Sequence, residues 1–245
     1  MSARSEILHR VRAALDGVTG HQEPLPPVAR DYRRTGDHAP GSPGAVDLLV
    51  DRLEDYKAHV HRVDTDEAVT ALVGEILASH FAALDAAVPD AAAGAAVEGA
   101  AAEDAAAHSV VVPAGLAKHW VDGLPSGTAV LTDSREAPMT ALELDEVDAV
   151  ITAARVAIAD TGTIVLDGAE DQGRRAITLV PDVHVCVVRT DQVVDTVPEG
   201  VTILAEHPER PQTWISGPSA TSDIELSRVE GVHGPRTLHV VIVQS

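Results

Sequence analysis

From residue 109 to residue 243 the chain is a succession of short Val/Ile-rich runs, each closed by Gly, Pro or Asp: SVVVP, TAVLT, DAVITA, GTIVLDG, AITLVP, HVCVVR, TWISG and LHVVIV. Branched side chains are stiff at χ1 and suit a pleated, extended backbone, so these runs are predicted strands. Several are apolar at consecutive positions, the pattern of strands covered on both faces. Helical stretches are predicted between some of them, at 115–122, 140–145 and 222–229. AITLVP and HVCVVR follow one another too closely for a crossover helix, which points to an antiparallel portion near 163–194. The predicted fold class is therefore α/β, a mixed β-sheet flanked by helices on both faces. Aromatic residues make up only 2% of the chain, so Val, Ile, Leu and Ala must build the core.

Upstream the pattern changes. Residues 5–15 form an amphipathic helix, with Ile7, Leu8, Val11 and Leu15 on one face, and Gly17 ends it. Residues 18–44 are rich in Pro, Gly and charge and have no usable period, so an N-terminal helix and mobile linker (1–44) is expected to precede an α/β domain (45–245). The arm is free to dock on its own domain or on a partner. Helices are predicted at 45–56 and 68–81, separated by the strand HVHRV. His59 and His61 share a face of that strand, but no third ligand lies near in sequence, so no metal site is expected. Residues 82–107 are almost entirely Ala, Gly, Asp and Glu; helix, weak strand and insertion all remain open.

The formal charge is −20, from 18 basic and 38 acidic residues. Such a field repels polyanions, so nucleic acid and an anionic membrane surface are poor partners. The N-terminus lacks the apolar core of a signal peptide and no run is read as membrane-spanning, so the expected location is the cytoplasm. The lone cysteine, Cys186, fits a reducing compartment and cannot form an internal disulfide. One thiol also falls short of the roughly four ligands of an iron–sulfur cluster. Within HVCVV it is a small buried hydrophobe rather than a nucleophile.

Three segments of the last third are candidates for chemistry. In ADTGT, Gly162 permits a positive φ that turns the backbone sharply, and the hydroxyls of Thr161 and Thr163 are suited to a carboxylate or phosphate. The plainer reading is a turn between elements, and no Walker lysine follows. In GPSATSDIE, Ser222 and Glu225 have capping-box spacing and are structural. Gly217, Ser219 and Thr221 sit in a loop at the carboxyl end of a strand, where open α/β sheets bind ligands, and Asp223 is placed to orient a hydroxyl or accept a proton. In GVHGPR, His233 between two glycines and next to Arg236 suits acid–base work or carboxylate binding. Alternatively, Arg236 pairs with Asp223 or Glu225 and His233 caps carbonyls. His233 and Asp223 are the catalytic candidates; Thr161, Gly162, Thr163, Gly217, Ser219, Thr221 and Arg236 are the ligand-binding ones. Arg174 and Arg175 before AITLVP are further carboxylate-binding candidates, and His184 with Cys186 is a weak metal pair.

ITAARVAIADTGTIVLDG, RRAITLVPDVHVCVV and ISGPSATSDIE followed by GVHGPRTLHVVIV resemble the lactate-utilisation protein C (LutC-type) family, whose core is the LUD domain. The likeness runs over about 147–243, with weaker agreement through HVHRVD and the N-terminal helix. It implies a fold similar to the CoA-transferase and ribose-5-phosphate isomerase group, with a role in oxidising L-lactate to pyruvate beside iron–sulfur partner proteins. With one thiol and no G-x-G-x-x-G, this chain is expected to carry no cofactor itself, the clusters residing on partner subunits. The alternatives are a stand-alone CoA-transferase- or cyclo-ligase-like enzyme acting on a small carboxylate or phosphorylated ligand, and a regulatory scaffold. A homo-oligomer stays open.

Overall fold

A computed structural model describes residues 3–16, 31–87, 108–221, 229–230 and 234–244. The chain divides into two compact units, Met1–Arg33 and Arg34–Ser245. The first contains helix α1 (Ala3–Asp16), where Arg10 and Glu6 form an i,i+4 ion pair. The second contains everything that follows.

Ser42 caps α2 (Pro43–Asp55), whose first-turn proline needs no amide partner. The predicted linker residues just before it belong to the larger unit. Backbone amides of Asp37 and His38 donate to the buried carboxylate of Asp195, and Gly41 N–H donates to Val193 O at 2.8 Å. Strand β1 (His59–Val63) and helix α3 (Asp66–Ala87) come next. At 22 residues α3 extends past the predicted 68–81. By length and composition alone it is long and apolar enough to cross a membrane, against the expectation that no run is. Its Val69, Val73, Ile76, Leu77 and Phe81 are nevertheless buried in the core.

The predicted strands then appear in turn as β2 (His108–Pro113), β3 (Thr128–Asp133) and, after the short α4 (Ala141–Asp145), β4 (Ala149–Ala153). Next come β5 (Val156–Ile158), β6 (Thr163–Leu166), β7 (Val183–Arg189) and β8 (Val193–Val194), of which β6 and β7 fall in predicted runs. Helix α5 (Val197–Leu204) precedes β9 (Thr213–Ile215), β10 (Ala220–Thr221), β11 (Val229–Glu230) and β12 (Thr237–Val243).

Six strands form an all-parallel sheet in the order β1-β12-β7-β4-β2-β3. The antiparallel portion is a second sheet, β8-β5-β6-β9, in which β5 pairs antiparallel with β6 and parallel with β8. The α/β class with flanking helices is thus realised as a six-stranded and a four-stranded sheet, beside the two-stranded antiparallel pair β10–β11.

Strand β7 shows how the sequence divides the layers. Its odd positions, Val183, Val185 and Val187, face α3, whereas Cys186 and Val188 face α2 and the second sheet. Period two along a strand buried on both sides requires apolar residues at every position. All five residues of β4 are buried for the same reason.

Local structure departs from the pattern in several places. AITLVP is not a strand: Arg175–Thr178 is a 3-10 helix, so the short spacing before β7 imposes no antiparallel pairing there. The approach to ADTGT is strand β5, which no predicted run covers. The helical stretch 115–122 reduces to a 3-10 turn, Lys118–Val121. In 222–229, Val229 lies in β11 opposite Thr221, and residues 222–228 fall outside the described residues, as do 88–107.

Candidate functional site

The β5–β6 turn is tight. Gly162 adopts φ +56° and its N–H donates to Ala159 O. A Cβ there would meet Arg52 of α2 at 2.7 Å, so the glycine serves a buried turn packed on a helix. Thr161 and Thr163 hydrogen bond through their hydroxyls at 2.8 Å, and Thr163 Oγ1 lies 2.8 Å from Ser216 Oγ. A chain of hydroxyls therefore links ADTGT to the strand exit at Ser216-Gly217.

That exit borders a cavity of about 220 Å³. Its walls are the 3-10 turn after Arg174, residues 212–219 around β9, and the entry to β12 at Gly234-Pro235, with His184 of β7 also lining it. Ser219 N–H donates to Pro235 O at 2.8 Å, holding two of the three predicted motifs together. Gly217 takes φ +81°, and a Cβ there would lie 2.6 Å from Tyr56 Cβ. Gly217 and Ser219 thus line one cavity, while Thr163 reaches its wall through Ser216. Arg236 is exposed and pairs with Asp182 at 3.0 Å. Thr221 lies in β10; Asp223 and His233 fall outside the described residues, as do Ser222 and Glu225.

His184 is 1% exposed. Burial pushes its pKa down to about 4, so the imidazole is neutral at pH 7. Nε2 lies 2.8 Å from Thr152 Oγ1, and Nδ1 has no hydrogen-bond partner among the described residues. A buried polar atom left unpaired is uncommon and asks for a reason. The sequence offers His184 as a charged candidate and, with Cys186, as a weak metal pair; the signal for a buried role is a histidine inside the apolar run VHVCVV of a strand covered on both faces. Cys186 is buried, and desolvation raises its thiol to about 12, so it is inert as a nucleophile.

The two arginines of the RR pair separate. Arg174 clamps the buried Asp133 through Nε and Nη2, and Arg175 turns to the cavity beside His184. A second cavity of about 600 Å³ opens at the carboxyl ends of β2, β3 and β6. Arg174 and Arg210 line it, but their guanidiniums are held by Asp133 and Asp167. On the opposite face of the main sheet His59 stacks on His239, and His61 Nε2 lies 3.2 Å from His239 Nδ1.

Comparison with known proteins follows the same outline. The LUD domain model matches residues 46–243. A lactate utilization protein C from Deinococcus radiodurans is 57% identical over 136 residues, which is 55% of this chain and 62% of that protein. The namesake from Bacillus subtilis is 30% identical over 38% of this chain and 41% of its own length. These alignments span less than two thirds of either relative. The crystal structure of a DUF162 family protein from Deinococcus radiodurans superposes with a TM-score of 0.56 at 37% identity, covering 82% of this chain and 96% of that one. With the family model matched across nearly the whole larger unit, the chain belongs to the LUD-domain family.

Proposed function

We propose that this protein takes part in the oxidation of L-lactate to pyruvate as a non-redox component, working in the cytoplasm with iron–sulfur partner proteins. The observation that carries this reading is the 57% identity to the Deinococcus lactate utilization protein C. The chemistry of the chain is consistent with a non-redox part. Its single thiol is buried and held protonated, well short of the roughly four ligands of a cluster. Partner subunits would then carry the electrons. In a deletion strain, growth on L-lactate as sole carbon source should fail while growth on glucose is normal, and affinity purification from lactate-grown cells should bring down iron-containing proteins. Normal growth on lactate would remove the proposal.

A second reading, an enzyme acting on an anionic small molecule such as a CoA ester or a phosphorylated metabolite, is favoured by the 600 Å³ cavity at the carboxyl end of the parallel sheet. The pairing of Arg174 and Arg210 with buried carboxylates weakens it. A thermal-shift screen with CoA esters, nucleotides and sugar phosphates discriminates: a specific upward shift supports it, and a flat response counts against it.

A further inference from the structure

We infer that the 220 Å³ cavity beside His184 is a binding site for a small 2-hydroxy or 2-oxo monocarboxylate, with Arg175 holding the carboxylate and His184 hydrogen bonding the oxygen at carbon 2. The inference deepens the lactate reading and rests on it only for the choice of lactate among such acids.

Three observations converge. The first is charge. The chain carries 38 acidic residues against 18 basic ones, yet no Asp or Glu is among the described residues lining this cavity. Arg175 is the one Lys or Arg among them. No ion pair engages it among the described residues, whereas Arg174 next to it is consumed by Asp133. In a strongly anionic protein, a pocket whose described lining holds a guanidinium without an ion pair and no carboxylate selects an anion.

The second is the orphaned nitrogen. His184 is buried and lines the cavity, and its Nδ1 has no partner among the described residues. Thr152 has one hydroxyl proton. If it points at Nε2, the imidazole carries its proton on Nδ1 and donates to the ligand; if it points at Cys186 Sγ, Nε2 donates to Thr152 and Nδ1 accepts. The first arrangement satisfies a keto oxygen, and either satisfies a hydroxyl. A neutral imidazole cannot balance a carboxylate by itself, which leaves the charge to Arg175.

The third is size. A volume of about 220 Å³ is below the range usual for drug-sized ligands and suits a metabolite of a few heavy atoms. Ser216, on the cavity wall, has its hydroxyl tied to Thr163 at 2.8 Å, so the polar rim is already positioned.

The test is isothermal titration calorimetry on the full chain with L-lactate, pyruvate, acetate and the neutral isostere L-lactamide. A parallel experiment follows the histidine side-chain nitrogens by NMR. Lactate or pyruvate should bind saturably, lactamide at least roughly tenfold more weakly, and Arg175→Ala should cost a similar factor, as expected for a hydrogen bond to a charged group. Arg175 is exposed, so this variant leaves the core intact. His184→Gln should erase the preference for lactate or pyruvate over acetate. If that variant fails to fold, wild-type NMR decides, because saturating ligand must shift the His184 Nδ1 resonance. The inference is overturned if no acid of the panel binds, if Arg175→Ala binds as well as wild type, or if the His184 resonance does not move. The two readings fail separately. Arg175-dependent binding in a protein whose deletion leaves lactate growth normal upholds the site and removes the lactate pathway; lactate-dependent growth without any binding does the reverse.

Discussion

His184 and His239 have imidazoles that burial lowers from 6.5 to about 4, the latter also because His59, His61 and His80 disfavour a further positive charge beside it. Between those values the unfolded chain binds more protons than the folded one. Their contribution is therefore complete above about pH 6.5 and is lost as the pH falls toward 4, at no more than about 1.4 kcal/mol per pH unit for each histidine. Asp195, lowered by its bonds from His38 and Asp37, adds loss in the same direction at lower pH. Thermal melts should be level from pH 7 to 8 and decline from pH 6.5 to 4.5. His239→Gln should flatten the decline; an unchanged slope would contradict this account. A different residue-scale dependence is the Arg174–Asp133 clamp, whose carboxylate is fully buried and also accepts from Met139 N–H at 2.9 Å. Arg174→Ala leaves that charge stranded and should cost about 3 kcal/mol, read as a lower urea midpoint with an unchanged slope.

At the scale of elements, strand exits carry the demands. Gly217 combines a left-handed φ with a backbone approach to Tyr56 O, so Gly217→Ala should destabilise by well over 1 kcal/mol and deform the cavity rim. Equilibrium unfolding of that variant measures the cost. The strands of the parallel sheet were legible because unbroken Val/Ile runs have few other uses in a chain nearly devoid of aromatics. AITLVP misled because Ile177 is apolar for burial in a 3-10 turn, not for pairing. Composition could not show that residues 34–44 belong to the larger unit, since their anchor is a carboxylate at Asp195, far along the chain. In the structure the Thr163–Ser216 and Ser219–Pro235 bonds bring segments of the last third together. Their contact depends on the second sheet folding over the first, which no local pattern encodes.

At the scale of the molecule, two apolar layers cover the parallel sheet, one beneath α3 and one beneath α2 and the second sheet. The cavity lies at the margin of the second layer, where Leu238 of β12 and His184 of β7 meet the strand exit of β9. A histidine at such a position is costly to bury and needs a use, and Arg175 is the one Lys or Arg among the described residues lining the cavity with it. The claim that this cavity is where the LUD domain does its work is tested most directly by complementation. In the deletion strain, growth rate on L-lactate is compared for wild type and for Arg175→Ala, produced at equal levels. The account predicts that wild type restores growth and Arg175→Ala does not, with equal growth on glucose; full restoration by Arg175→Ala would contradict it.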